Sequence, residues 1–509
     1  MQLAPITHAQ TSEQAAEIYE RLQRLEQRQA EFEKLLDVKD KRIRELEAEL
    51  EQQQKQKSAL PEQPTIAAPT TAVSAEASPD ATAGNNKIES TIDKSDSEQA
   101  IASAIDAEDP KAMGEFTPGK GFTVARTKYG ELNLSVYSYI RYLNQNGLND
   151  TYVDHFGVVQ PIDKRNDFQV NKVFLYTKGW FLNPKFRYLF YVWSTATALG
   201  NTSNNLVAGN ISYKFNEKFN LTGGVVGLPS TRSMMGQFPY WHRVDTRLMA
   251  DEFMRGSFTQ GLSADGRLAR GLDYRFAVGN NLSNFGVNAS KLDNDINTFS
   301  GALAWMPTTG EFGPHASIGD FEQHTDLATL FGLHATYSTE DKQSQPGMDS
   351  PENTQIRLSD GVTVFTPNAL APGVTVNKLD YQMVAVNAGM KYDGYALEGE
   401  IFYRKLNNFQ TNSPLLIDEL IDKGFQIKMS TMLMPKTVQL YANGSKIFGD
   451  YGDPWDAGIG ANWWPFKRLG FRFNAEAIYL RNSPVGYNSV PYTVGGTGWV
   501  FVTNAEVAF

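Results

Sequence analysis

Polar and apolar positions follow two different periods along the chain, and each period predicts a different structure. Near the N-terminus the apolar side chains recur every three or four residues, with Leu22 and Leu36 at a positions and Leu25 at a d position of a heptad pattern. Charged residues flank this apolar seam, as is typical of a coiled coil. We therefore predict an N-terminal tail over residues 1–13 and a self-associating α-helical coiled coil over residues 14–52. A single solvated helix is the alternative.

The segment that follows has neither period. Residues 53–118 are rich in Ala, Ser, Thr, Pro, Gln and Asp. Such a composition buries too little apolar surface to order itself, which predicts a flexible linker. Residues 1–112 hold 22 acidic and 13 basic side chains, which leaves 35 acidic and 34 basic ones for the rest of the chain. The net charge of −10 therefore belongs mainly to this N-terminal region.

From about residue 130 the period changes to two, and segments with this period recur up to the end of the chain. In ELNLSVYSYIRYLN, for example, Leu132, Leu134 and Val136 alternate with Asn133 and Ser135. Residues 119–509 are therefore predicted to form an all-β transmembrane barrel of the outer-membrane type, because such strands alternate between a lipid face and a lumen face. The sixteen predicted strands lie near 131–143, 168–181, 186–198, 206–215, 219–228, 257–264, 269–280, 295–305, 328–338, 379–392, 395–406, 423–434, 437–447, 454–464, 469–481 and 498–509.

The connections between these strands alternate between two classes. Short turns such as SADG at 263–266 and DG at 393–394 alternate with long polar segments such as 339–378. A soluble β-sandwich or propeller would also show alternating strands, but it would not explain this asymmetry. Residues 306–327 are the exception, because they fall on the short-turn side and are long for a turn.

One long connection, residues 228–258, carries the candidate chemistry. It is rich in arginine and aromatic residues, and we predict that it folds inward and narrows the pore. Between residues 228 and 270 there are six arginines and four carboxylates. The guanidinium group suits carboxylates and phosphates, so the stretch favours anions. The alternative is that these arginines pair with Asp245, Asp251 and Glu252 and hold the loop to the wall. The predicted constriction residues are Arg232, Tyr240, Trp241, Arg243, Arg247 and Arg255.

The alternation also assigns basic residues to the lumen wall, since charges that face lipid are costly. These wall residues are Arg141, Lys172, Lys178, Arg187, Lys214, Arg275, Arg404, Lys428 and Arg472. Acidic residues share the same face: Asp273, Glu398, Glu400, Glu476 and Glu506. The wall is therefore predicted to carry charge of both signs.

Several segments resemble the phosphate-selective porin O/P family. They are GFQIKMSTMLMPKTVQLYANGSKI, IGANWWPFKRLGFRFNAEAIYL, VNAGMKYDGYALEGEIFYRKL, and the stretch from GVVGLPSTRSMM to DEFMRGSFTQGLSADG. The resemblance spans roughly residues 120–509. It implies a trimeric, 16-stranded outer-membrane channel whose third external loop constricts the pore, and some relatives carry an N-terminal periplasmic coiled coil. The family's phosphate site includes a lysine cluster, whereas this chain has no lysine between Lys218 and Lys291.

The sequence therefore predicts a passive outer-membrane porin that prefers anions, either phosphate or organic acids. The alternatives are a nutrient channel without phosphate specificity, for small organic acids or sugars, and an envelope-spacing anchor in which the coiled coil has the main role. The predicted partners are two further copies in a homotrimer, outer-membrane lipid and lipopolysaccharide, small anionic solutes, and peptidoglycan or a periplasmic protein at the coiled coil. The coiled coil and both termini are expected in the periplasm. No catalytic, metal, cofactor or nucleic-acid site is predicted, because the six histidines lack ligand spacing and no nucleophile or phosphate-loop motif is present.

Overall fold

The computed structural model describes residues 116–117, 120–195, 205–235, 238–282, 295–313, 318–342, 356–486 and 490–509. The predicted tail, the coiled coil and all but the end of the predicted linker lie outside the described residues. None of the helices in the described part of the chain is long and apolar enough to cross a membrane.

Sixteen antiparallel strands form one closed sheet. Each of the sixteen pairs with the next along the chain, and the first pairs with the last, which closes the ring. The ring strands are β3 (Gly130–Leu148), β6 (Asn166–Phe181), β7 (Asn183–Thr195), β8 (Asn205–Asn216), β9 (Phe219–Gly227), β10 (Phe258–Ala269), β11 (Leu272–Gly279), β12 (Thr298–Trp305), β13 (Ala328–Asp341), β14 (Val376–Tyr392), β15 (Tyr395–Thr411), β16 (Glu419–Met434), β17 (Val438–Phe448), β18 (Trp455–Trp463), β19 (Phe471–Arg481) and β20 (Gly498–Ala508). The prediction of a closed 16-stranded antiparallel barrel is confirmed.

Four short strands lie outside this ring. β1 (Phe116–Thr117) pairs with β2 (Gly121–Thr127), and β2 pairs with the first residues of β3. β4 (Thr151–Val153) and β5 (Val159–Pro161) form a hairpin within the connection from β3 to β6. β1 thus falls at the end of the range that the sequence assigns to the linker.

Because side chains alternate along each strand, every strand has an inner and an outer face. On β3 the odd-numbered residues from 131 to 145 are all buried, including Tyr139 and Arg141, whereas Ile140 between them is 54% exposed. Successive side chains of a strand point to opposite faces. In a closed ring the buried set therefore faces inward, and the large apolar residues of the other set cover the outside.

The strand bounds differ from the predicted ones mainly at the long-connection ends, as in β3, β15 and β16, and at one turn. The predicted turn at SADG is wrong, because β10 continues through it to Ala269 and the chain turns at Arg270 and Gly271. Gly271 has a φ of 70°, a conformation that favours glycine. Period two continues through SADG, so the pattern alone did not place the turn.

Long connections enter the ring from both ends. The connection from β9 to β10 contains a 3₁₀ turn (Arg232–Met234) and one short helix, α1 (Met249–Met254). The apolar side chains of α1 pack in the main buried cluster with residues of β14–β17. Residues 306–327 enter from the opposite end, where Phe321 packs on Trp464 with ring centroids 5.0 Å apart. Much of the interior is therefore occupied by chain rather than by strand side chains alone.

Candidate functional site

The 228–258 loop is tied to the wall at its base and along its length. The Leu228 amide donates to the Ser257 carbonyl at 3.0 Å, which joins the two ends of the loop. In α1 the Met249 amide donates to Asp456 at 3.3 Å and the Ala250 amide donates to Ser445 at 3.0 Å. These bonds place α1 against the inward faces of β17 and β18.

Arg243 is the most deeply held of the loop arginines. Its Nη1 lies 2.7 Å from Asp456 Oδ2 and its Nε lies 2.6 Å from Glu476 Oε1, and its side chain is only 3% exposed. It also donates to the hydroxyl of Tyr492, which lies in the connection from β19 to β20. Two wall carboxylates thus balance one guanidinium, and the loop is anchored to β18 and β19.

Arg247 and Arg255 share one carboxylate of their own loop. Arg255 Nη2 lies 2.5 Å and Arg247 Nη1 lies 3.6 Å from the carboxylate of Glu252. The Arg247 guanidinium also lies 4.2 Å from the centroid of Trp241, whose side chain is buried. Cation–π contacts of this kind fix the orientation of a guanidinium as well as stabilising it.

Arg232 and Tyr240 contact other parts of the lumen. The Arg232 amide donates to Glu400 at 2.8 Å, and its Nε lies 3.4 Å from Glu398 on β15. Tyr240 packs against the buried cluster that includes Ile318 and Trp464. Tyr240 therefore bridges the 228–258 loop and the 306–327 connection.

The carboxylates named in the alternative interpretation have mixed partners. Glu252 pairs with two loop arginines, as above. Asp245 pairs with Lys172 of β6 at 2.6 Å and accepts from the Tyr139 hydroxyl at 2.8 Å. Asp251 accepts from Thr231 at 2.9 Å.

Four of the nine predicted wall residues hold the loop in place. Arg141 donates to the Val244 carbonyl at 2.9 Å, and Arg404 donates to the Phe253 carbonyl at 3.1 Å. Arg472 donates to the Trp241 carbonyl at 2.6 Å and pairs with Glu506. Lys172 is the fourth, through Asp245.

Lys178 and Arg187 lie in a different setting. Both line a cavity of about 290 Å³ between the loop and the wall formed by β3, β6, β7, β8 and β9. The aromatic residues that share this lining are Tyr137, Tyr176, Tyr188, Phe238, Tyr240 and Phe509. None of the described residues that line it has an acidic side chain. We call this space the vestibule.

The three remaining wall residues also take inward positions in the alternation. Lys214 shares its face of β8 with Ser212, a vestibule residue. Arg275 shares its face of β11 with the fully buried Ala277. Lys428 on β16 is 9% exposed and lines a small separate cavity beside the loop.

Sequence reasoning missed the acidic partners and one whole segment. Asp456 and Asp422, which pair with Arg243 and Arg404, were not singled out, although period two on their strands places both inward. The 306–327 connection was noted only for its length. Its inward position is fixed by contacts such as the 2.5 Å bond from the Gln439 side chain to the Ile318 carbonyl.

That connection also holds a histidine between two carboxylates. His324 contacts Asp320 through Nδ1, and its Nε2 lies 3.2 Å from Glu311. Burial by itself would lower the pKa of His324, but the hydrogen bonds to the two carboxylates outweigh it and raise that pKa to about 9.

No protein-family model and no curated protein matches the chain. Among solved structures, an anion-selective porin from Comamonas acidovorans aligns at 11% identity and a TM-score of 0.46, over 75% of this chain and all of that one. The outer-membrane-expressed OmpT of Vibrio cholerae aligns at 10% and 0.47, over 76% of this chain and 99% of its own. OmpF of Salmonella typhi, in complex with daunomycin, aligns at 15% and 0.44, with the same coverage. At identities and scores this low the likeness says nothing of function.

Proposed function

We propose that the barrel is an outer-membrane porin that passes small hydrophilic solutes and prefers anions. The membrane assignment is supported by the outer face, where apolar side chains such as Ile140, Val207, Ile401 and Ile459 are at least half exposed. Ion pairs and polar side chains face inward. This arrangement is the reverse of a soluble protein's and suits a barrel whose outside meets lipid.

The anion preference is carried by the vestibule. Lys178 and Arg187 line it, and no described lining residue has an acidic side chain. Arg243, Arg404 and Arg472, by contrast, each lie beside a carboxylate, so their fields largely cancel. A region lined by one sign of charge concentrates ions of the other sign. The vestibule therefore favours anions where the paired regions favour neither sign.

The aromatic lining favours organic anions over phosphate as the natural solute. Tyr137, Tyr176, Phe238 and Tyr240 surround the two cations, and such rings interact well with the apolar part of a small organic acid. Inorganic phosphate has no such part. For phosphate selectivity, the loop of this chain lacks a lysine cluster that would correspond to the one in the phosphate-selective porin O/P family.

The remaining predictions extend this proposal. A homotrimer embedded in lipid and lipopolysaccharide, and contact of the coiled coil with peptidoglycan or a periplasmic protein, stay predictions from the sequence. The envelope-anchor alternative concerns residues outside those described.

The proposal is tested by reversal potentials of the full-length protein in planar bilayers under a potassium chloride gradient. We expect anion preference in the wild type and a several-fold lower anion-to-cation permeability ratio when Lys178 and Arg187 are both replaced by methionine. Lys423→Met is the matched control, because Lys423 lies on the outer face of β16. Cation preference in the wild type, or an unchanged ratio in the double variant, would contradict the proposal.

A further inference from the structure

A groove of about 1430 Å³ crosses the outer wall of the barrel, from the short-turn ends of β14 and β15 to the middle of β19 and β20. Small outward residues such as Ala442 and Ala477 form its floor. Larger residues rise beside them, since Met429 is in register with Ala442 and Phe501 with Ala477. Ile459 lies in register between the two alanines and divides the groove lengthwise.

Two basic residues lie beyond one end of the groove, towards the long connections. Lys446 of β17, Trp455 of β18 and Arg481 of β19 are in register on neighbouring strands, and all three face outward. Since neighbouring strands are about 4.8 Å apart, the backbones of the two basic residues are about 10 Å apart. Gly444 and Ala457 lie between this row and the groove, and neither has a side chain beyond Cβ. The way from the row to the groove is therefore open.

The charge on this part of the wall has one sign. The outward positions of β17, β18, β19 and β20, all of them described, include no acidic side chain. Lys446 Nζ lies 4.5 Å from the ring centroid of Phe448, and neither Lys446 nor Arg481 forms an ion pair with a described carboxylate. On β15, by contrast, the outward Lys405 pairs with Glu419. Lys446 and Arg481 therefore keep their charge for a partner outside the chain.

Aromatic rings place this row at the level of lipid headgroups. Trp455 stacks on Tyr479 with ring centroids 5.2 Å apart, and Tyr479 packs edge-on against Trp499 at 5.3 Å. Trp and Tyr are enriched at both faces of a membrane, because their rings have an apolar body and a polar tip. At that height the two cations face headgroups, and the groove lies at the depth of acyl chains.

We infer that Lys446, Arg481 and the groove bind one molecule of a lipid whose headgroup carries phosphate, namely the lipopolysaccharide of the outer leaflet. Its phosphate accepts hydrogen bonds from the ammonium and guanidinium groups, and such bonds are strong because both partners are charged. An acyl chain of the same molecule lies in the groove and covers its apolar floor. The inference rests on the outer-membrane placement in the proposed function, but not on conduction.

The test is native mass spectrometry of the full-length protein in detergent, titrated with lipid A, the acylated and phosphorylated part of lipopolysaccharide. We expect one tightly bound lipid A per chain in the wild type, and about tenfold weaker binding in Lys446→Met/Arg481→Met. The matched control is Lys467→Met/Arg468→Met, which removes two exposed cations from the turn at the opposite end of β18 and β19. It should bind lipid A like the wild type. Equal weakening in the two double variants would overturn the inference.

Two further arms separate the headgroup from the chains. Lipid A without its phosphates should bind the wild type about tenfold more weakly, and inorganic pyrophosphate should not displace intact lipid A, because it has no acyl chain. Ala477→Trp fills the groove and should weaken the binding of lipid A, although both cations remain. Undiminished binding of the dephosphorylated lipid, displacement by pyrophosphate, or unchanged binding to Ala477→Trp would each contradict the proposed site.

A second copy of the chain is the other occupant to consider, and the same spectra report the oligomeric state. If Ala477→Trp separated the copies while lipid A still bound, the groove would be a contact between copies and the inference would be wrong. Bilayer recording of the wild type separates the lipid site from the channel. Anion-selective conduction without lipid A binding would overturn the inference alone, and bound lipid A in a protein that does not conduct would overturn the proposed function alone.

Discussion

The two sides of the lumen use their basic residues differently. On the side of β15–β20, Arg243, Arg404 and Arg472 each pair with a wall carboxylate and each contact another chain segment inside the barrel. On the side of β3 and β6–β9, Arg141 and Lys172 hold the loop as well, whereas Lys178 and Arg187 line the vestibule, where no described lining residue has an acidic side chain. The paired residues hold the loop in place, and we propose that Lys178 and Arg187 act on solutes.

This difference shows why a count of arginines is a poor guide to the field inside a pore. A buried guanidinium between two carboxylates, like Arg243, contributes little net charge to the lumen. A cation with no acid beside it contributes nearly all of its charge, even when it is a single lysine. Selectivity is therefore expected to depend on few residues and loop position on many.

The largest effect should follow from breaking the paired side. We expect Arg243→Met to cost about 3–5 kcal/mol of unfolding free energy, because it leaves Asp456 and Glu476 buried without their cation. The released loop should also raise single-channel conductance. Urea unfolding in detergent and bilayer recording measure the two effects.

Arg187→Met is the comparison on the open side. The Arg187 guanidinium donates to the Pro184 carbonyl at 3.2 Å, and the residue lies on a half-exposed wall. We therefore expect the substitution to change the unfolding free energy by no more than about 1 kcal/mol. Equal losses of stability in the two variants would show that the two sides do not differ as described.

An intermediate effect concerns the 306–327 connection, which supports the paired side from the opposite mouth. The pKa of His324 is about 9 in the folded protein, against an ordinary value of 6.5. Its ion pairs therefore stabilise the fold fully below pH 6.5, and this stabilisation is lost as the pH rises through 9. After allowance for solvent screening, we expect the His324 ion pairs to contribute about 1–2 kcal/mol to the unfolding free energy.

The measurement is the unfolding free energy of the wild type and of His324→Gln between pH 6 and pH 10. The difference between the two proteins should shrink as the pH rises. A difference that stays constant over that range would mean that the protonated imidazole does not hold the connection.

The smallest effect on stability, and a clear one on selectivity, should come from making the open side resemble the paired side. Ser212 lies directly opposite Arg187 across the pair β7–β8. We expect Ser212→Asp to pair with Arg187, to change stability by less than about 1 kcal/mol, and to lower the anion preference. Ser212→Asn is the matched neutral control. A selectivity unchanged by the aspartate but changed by the asparagine would exclude charge as the cause.

The architecture followed from the sequence because it depends on a local property. Side chains of a strand alternate between two faces, so period two in residues such as Asn133 and Leu134 both located the sixteen strands and sorted inward from outward positions. One turn, SADG, was misplaced. The coiled coil remains a prediction.

The arrangement of the site could not be read from the local pattern, because its residues pair with partners that are distant in the sequence. Arg243 lies 213 residues before Asp456 and 233 before Glu476, and only closure of the ring brings the three together. The sequence identified the candidate residues. It did not show which of them anchor the loop and which are the proposed solute-facing cations.

The sequence by itself determined that this chain forms a barrel with an apolar outside and a charged inside, because burial of alternate side chains is a matter of period. Only the tertiary structure decided which inward charges cancel. Whether a cation has a neighbouring carboxylate depends on the register of distant strands and on the path of the inward loop. That is how Arg243, Arg404 and Arg472 became anchors of the loop, whereas Lys178 and Arg187 line a cavity in which no described residue has an acidic side chain.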